Sequence, residues 1–363
     1  MEVCGCCLMV EVNVDWKSRV VGVMWLNPLQ RKDYPIEWQL LWTLGLAKPN
    51  DSDEMVKKNP LKYSSIKPIA SIAIGFNGTA TLDHYQDQYL LTLLTKFHHS
   101  YFSDSQYFYN VHSLSDKKSW RELSGIHVEY ALPQDKLDPA KLAAHTRAEI
   151  IDIFSIGNPN TPTLWSRHEP PSVTITSGGA NAGFRSLGAA LEYLTTHPNE
   201  TVWAMNWDAP ARPMDEQMNE NLVLLVLAGP GYKTERKELA WIGFPAVSHV
   251  GNFEAKQNLP TRTSQAWQAV LQGAARKSNK QTRDIGYVIH DANNSHQQSS
   301  SRLGPLAQAM TMELPDLDFL KQTFNTPALL GEMGAGSALT NVALAIAYAN
   351  HLGKNVLVAG GGW

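Results

Sequence analysis

Cysteine is nearly missing from this sequence. The chain of 363 residues holds three, Cys4, Cys6 and Cys7, all at its start. With none after Cys7, distant parts of the fold cannot be stapled by disulfides, and no thiolate nucleophile is available beyond that point. Cys-Gly-Cys-Cys is also too tight for a four-ligand zinc site, so no metal or cofactor is expected. A basic excess is lacking too. Lys and Arg total 31 against 34 Asp and Glu, for a formal net charge of −3, and no Lys/Arg block stands out. That excludes a binder of nucleic-acid phosphates. Long apolar runs are also absent. Val3 to Val10 is too short to span a bilayer, and Glu2 precedes it where a secretory signal carries Lys or Arg. Membrane contact is therefore not evident, and residues 1–18 are set apart as an N-terminal segment of unassigned role.

What is present is ordinary globular composition, 43% hydrophobic and 18% charged, which argues against disorder. Eleven Trp and twelve Tyr exceed common usage. Such residues fill cores and also anchor interfaces. Trp25, Trp38 and Trp42 cluster early, and are candidate partner-binding residues if two of them share an exposed patch.

The hydrophobic pattern predicts alternating elements. Val20 to Leu26 is strand-like and ends at Asn27-Pro28. Pro35 suits the first turn of a helix running through Trp42. Ile69 to Phe76 reads as a strand, and Asp83 to Tyr101 as a helix with Leu90, Leu93, Leu94 and Phe97 inside. A strand over Gly125 to Leu132 precedes a helix from Asp138, the cap, with Pro139 at its first position. Prolines between Asn158 and Pro171 mark a loop. From Ser172 onward, strands are predicted at Val173–Thr176, Val202–Trp207, Leu222–Leu227, Ile285–Ile289 and Val356–Ala359. Helices are predicted at Ser186–Thr196, Ser264–Lys277 and Leu339–His351. Asp291 to Ser301 reads as a loop. This rhythm gives an α/β fold with largely parallel central sheets and helices on both faces. The regions are 1–18, 19–165 (an N-terminal α/β region) and 172–363.

Three loops could carry chemistry. In Thr176-Ser177-Gly178-Gly179-Ala180-Asn181-Ala182-Gly183 a strand runs through small residues into a helix, the build of a nucleophile elbow. In Ile289-His290-Asp291-Ala292-Asn293-Asn294 a strand delivers a histidine. Gly331-Glu332-Met333-Gly334-Ala335-Gly336 opens the last helix. Their order, with Val202 to Asp208 and Asn219 to Leu227 between them, resembles the C-terminal half of thiolases and β-ketoacyl synthases. The resemblance implies a thiolase-like fold over 172–363. It also implies a nucleophilic cysteine near Ala180, Asn181 and Ala182, one catalytic histidine at His290 and a second at Glu332. None of these carbon, amide or carboxylate groups can replace the thiol, and Glu332 would bring an anion where an oxyanion needs a donor. His290 is then read as a fold residue satisfied by a backbone carbonyl. A hydrolase reading of Ser177 with His290 and Asp208 or Asp291 fails the G-x-S-x-G pattern. His98 and His99 point about 100° apart on a helix and cannot share an ion with His84.

Trp25 through Leu46, and Gly183 through Asp208 with its Trp203-Ala204-Met205-Asn206-Trp207-Asp208 end, resemble a bacterial family described as type VI secretion lipase adaptors. That resemblance implies a pseudoenzyme with no catalytic residues. It implies a phospholipase effector and a spike protein as partners. It also implies residence in the bacterial cytoplasm, with periplasmic or anchored exposure left open. The alternative is a divergent acyl-transfer or acyl-coenzyme A-binding enzyme of the thiolase-like fold.

Overall fold

The computed structural model describes residues 4–11, 18–27, 35–48, 81–103, 126–154, 156, 171–210, 219–234, 236–255, 257, 259–292 and 300–362. The strand expected at 69–76 and the proline loop at 158–170 lie outside them. The described strands are β1 (Cys4–Glu11), β2 (Ser18–Leu26), β3 (His127–Pro133), β4 (Ser172–Gly178), β5 (Thr201–Asp208), β6 (Asn221–Ala228), β7 (Ala240–Ile242), β8 (Ala246–His249), β9 (Tyr287–His290), β10 (Thr323–Asn325) and β11 (Val356–Gly362). The helices are α1 (Ile36–Thr43), α2 (Leu82–Ser103), α3 (Pro139–Ile153), α4 (Ala182–Thr196), α5 (Arg262–Lys277), α6 (Ser300–Glu313), α7 (Thr326–Leu330) and α8 (Ser337–Leu352).

Local signals are honoured at several ends. The Asp138 side chain accepts from the amides of Ala140 and Lys141 at the start of α3, with Pro139 at the first position. Thr261 caps α5 by accepting from Ser264. Gly353 ends α8 in the left-handed conformation, where a side chain would be strained.

The strands form one sheet in the order β10-β9-β11-β1-β7-β2-β6-β5-β3-β4, with β8 also paired to β1. Parallel pairs occupy its two ends, β10–β9–β11 and β5–β3–β4. Antiparallel pairs fill the middle: β11–β1, β1–β7, β7–β2, β2–β6 and β6–β5. The sheet is thus mixed, because β1 and β2 enter from the N-terminus between the two parallel halves. Cys4–Glu11 belong to the sheet: β1 lies between β11 and β7, with Cys7, Leu8, Met9 and Val10 all buried. Both faces of β1 are covered, which is why its sequence is a continuous apolar run. The sheet does not divide near residue 170, since β3 and β4 lie side by side across that point.

Each half of the sheet uses alternate residues on its two faces. Trp203, Met205 and Trp207 of β5 join Leu90, Leu94 and Phe154 under α2 and α3. Met9, Val288 and Leu357 join Trp267, Leu271 and Leu306 under α5 and α6. The opposite faces of both halves meet in one cluster with α1, α4 and α8, where Ala204, Leu225, Val10, Ile289 and Val358 pack on Leu187 and Leu344. The sheet therefore curls around α4 and α8. Helix α8 is buried from Ser337 to Ala349 on all sides, as its apolar sequence requires.

Candidate functional site

The elbow forms as predicted and is filled. β4 ends at Gly178, and α4 begins at Ala182, capped in position by Asn181. Ala182 packs with Ala131 of β3 and Ala335 of the third loop in a small apolar cluster. Close approach of α8 demands a glycine next to it, since a Cβ at Gly183 would stand 2.8 Å from Ala338 Cβ. Phe184 follows and rests on Gly360 of β11, where a Cβ would overlap its ring. The start of α4 is thus packed with methyl groups and an aromatic ring.

The third loop is held from below by buried polar side chains. Asn206 Nδ2 donates to the carbonyls of Ala335 (3.3 Å) and Gly336 (2.8 Å). Asp208 Oδ2 accepts from the Ala335 amide at 2.8 Å, while its Oδ1 accepts from Lys136 Nζ at 3.2 Å. Asn221 Nδ2 donates to Gly336 O and to Thr340 Oγ1, and its Oδ1 accepts from Trp25 Nε1 at 2.6 Å. Asn219 donates to the carbonyls of Leu330 and Glu332. Burial raises Asp208 from 3.8 to about 6, against the lowering pull of Lys136 and the two amides. Glu332 is half-buried and its backbone, not its carboxylate, is what these contacts fix.

His290 does not join this site. Tyr287 and Ile289 of β9 face α8, whereas Val288 faces α5 and α6. Alternation puts His290 on the Val288 side, and its ring lies 6.1 Å from Phe319 there. The sheet stands between His290 and the elbow. The expected backbone carbonyl partner is not found among the described residues, where both ring nitrogens are buried without a hydrogen bond. Burial accordingly lowers the imidazole from 6.5 to about 4, so it is neutral. Ser177, His290 and Asp208 cannot form a relay, because Asp208 is spent on the third loop on the other face.

The tryptophans do not form an exposed patch. Trp25 is 1% exposed and bonded to Asn221, and Trp42 is 7% exposed. Trp38 is half-buried against Trp42, with ring centroids 5.6 Å apart. The condition for a partner-binding role, two of the three on one exposed patch, is therefore not met.

Two clusters escaped the sequence because they join separate elements. Asp87 of α2 meets His145 of α3 at 2.6 Å, with Glu149 one turn on; these three bring ligand-type atoms within 4.8 Å of one another and could hold a metal ion. His127 links Ser172 Oγ to Glu129 Oε1, at 2.7 Å each, and stacks on Tyr193. The Ser172 amide is committed to Ile126 O at 2.8 Å, so it is not available to an oxyanion and the network reads as a tie between β3 and β4.

A groove of about 490 Å³ opens beside the filled elbow, between α4 and the segment Phe244 to His249. No described helix is long and apolar enough to cross a membrane.

The fold is thiolase-like, and no cysteine follows Cys7 in the chain. A variant of the ketosynthase from module 6 of the bacillaene synthase of Bacillus subtilis 168 is similar at a TM-score of 0.51 and 12% identity, over 92% of this chain and 59% of that one. The likeness is one of fold, and the chain spans 59% of that ketosynthase's length. The ishigamide ketosynthase/chain length factor is similar at a TM-score of 0.48 and 16% identity, over 94% and 98% of the two chains. No curated protein sequence matches. Residues 247–360 match the family described as type VI lipase adapter protein Tla3, C-terminal. The match covers α5, β9, α6 and α8, not the tryptophan-rich segment on which the sequence resemblance rested.

Proposed function

We propose that this chain is a non-catalytic adaptor that binds a type VI phospholipase effector and helps load it onto the secretion spike. The observation that carries the reading is the adaptor-family match over 247–360. The elbow supports it: Ala180, Asn181 and Ala182 offer no nucleophile, and Ala131, Ala182 and Ala335 occupy the space beside them. A fold that keeps its core and gives up its chemistry serves as a surface. Co-expression with the phospholipase encoded beside it, followed by size exclusion at micromolar concentration, tests the reading. A stable complex is expected; two separately eluting proteins would overturn it. Loading onto the spike is tested by whether the effector co-purifies with the spike protein only when this chain is present.

No observation favours acyl transfer, since the sheet separates His290 from the elbow. Incubation with acyl-coenzyme A is expected to leave the intact mass unchanged and to release no free thiol.

A further inference from the structure

The groove beside α4 has two unlike walls. One is a single helical stripe, Arg185, Gly188, Ala189 and Glu192, spaced at one and two turns. Its middle is small: a Cβ at Gly188 would come no nearer than 3.9 Å to Pro245. The other wall is β8, whose Ala246 and Ser248 are buried while Val247 and His249 point outward into the groove. Among the described residues β8 pairs with β1 alone, so its second edge carries no ladder. An unpaired edge offers its amides and carbonyls to another extended chain.

Apolar exposure and charge say what kind of chain. The large hydrophobic side chains exposed among the described residues are Val247, Leu259, Met312, Leu320 and Leu352, all inside the adaptor-family segment. Of these Val247, 54% exposed, lines the groove. Arg185 gives one N–H to Ser177 O, and Lys277 gives one to Pro245 O; neither has a carboxylate partner among the described residues. Glu192, two turns beyond Arg185, sets the opposite sign at the far end.

We propose that this groove docks an extended apolar segment of the lipase effector, which pairs with the free edge of β8 and brings a carboxylate to Arg185 and Lys277. The inference rests on the adaptor reading and adds to it the surface and the chemistry of the bound segment.

The test uses the full chain and the phospholipase encoded beside it. Gly188→Leu fills the groove from the helix side, Val247→Asp spoils its apolar wall, and Arg185→Glu reverses its charge. Each is expected to weaken the complex at least tenfold with thermal unfolding unchanged, and the Arg185→Glu effect should shrink at high salt. Leu320→Asp, 90% exposed and outside the groove, is expected to bind as the parent does. Parent binding with no loss in the three groove variants overturns the groove and leaves the adaptor reading intact. Loss confined to Leu320→Asp places the interface elsewhere and also overturns it. A dimer of the chain alone that Val247→Asp dissociates would assign the groove to a second copy instead. Failure of the parent to bind at all overturns the adaptor reading itself.

Discussion

The two faces of α4 differ sharply. Its inner face is closed: Ala182, Gly183 and Phe184 meet Ala335, Ala338 and Gly360 with no room to spare. Its outer stripe, Arg185, Gly188 and Ala189, fronts a groove that the Phe184 ring also lines. In a thiolase-like enzyme the inner end would need space for an acyl group. Here that end is filled by packed side chains, and the open space lies along the neighbouring stripe of the same helix. One helix thus carries a closed end and an open flank.

Five substitutions test that contrast and the packing around it. Phe184→Ala should have the largest effect, about 3–5 kcal/mol lost in urea unfolding, because a buried ring is removed and the rigid backbone of β11 cannot collapse onto the space. A loss under about 1 kcal/mol would show that the inner face is not close-packed.

The second prediction concerns the buried titratable groups behind and below α4. His290 is lowered to about 4, so its stabilising share is present above pH 6.5 and is lost as pH falls toward 4. Asp208 is raised to about 6, so its share is present below pH 3.8 and is lost as pH rises through 6. The two act in opposite directions over one window, each on the order of 3 kcal/mol. His290→Phe should therefore gain on the parent as pH drops from 6.5 to 4, and Asp208→Asn should gain on it as pH rises from 4 to 6.5. Parallel stability curves for parent and variants would contradict both burials.

The two glycines of α4 should respond with opposite signs. Gly183→Ala drives a methyl group against Ala338 and is expected to cost about 1–3 kcal/mol. Gly188→Ala meets open space within a helix and should add about 0.5–1 kcal/mol. The same sign at both positions, read by thermal unfolding, would remove the distinction between the faces.

Much of the fold was legible in the sequence. The cap at Asp138 with Pro139, the strand-turn-helix at the elbow, and the continuous apolar runs of β5 and β6 each carry their signal locally. Helix α6 was not legible, because Gly304 and Pro305 interrupt its pattern. Burial of Leu306, Ala309 and Met310 against α5 outweighs the cost of that proline. The strand role of β1 was hidden for another reason: a run of apolar residues with cysteines names no partner, and its partners, β11 and β7, lie hundreds of residues away. The candidate site divided in the same way. Ala180, Asn181, Ala182 and Glu332 were proposed from order and spacing together with His290, which the strand parity of β9 places on the other face of the sheet.

What the sequence determined by itself was chemistry by elimination. No cysteine follows Cys7, so no thiol nucleophile can come from the rest of the chain however it folds. What only the tertiary structure decided was geometry. Whether His290 faces the elbow depends on the parity of one residue in β9, and whether Trp25 faces a partner depends on a hydrogen bond to Asn221 far along the chain. Side-chain direction in a strand reverses with each residue, so a motif can give the right neighbours in sequence and still place them on opposite sides of a sheet.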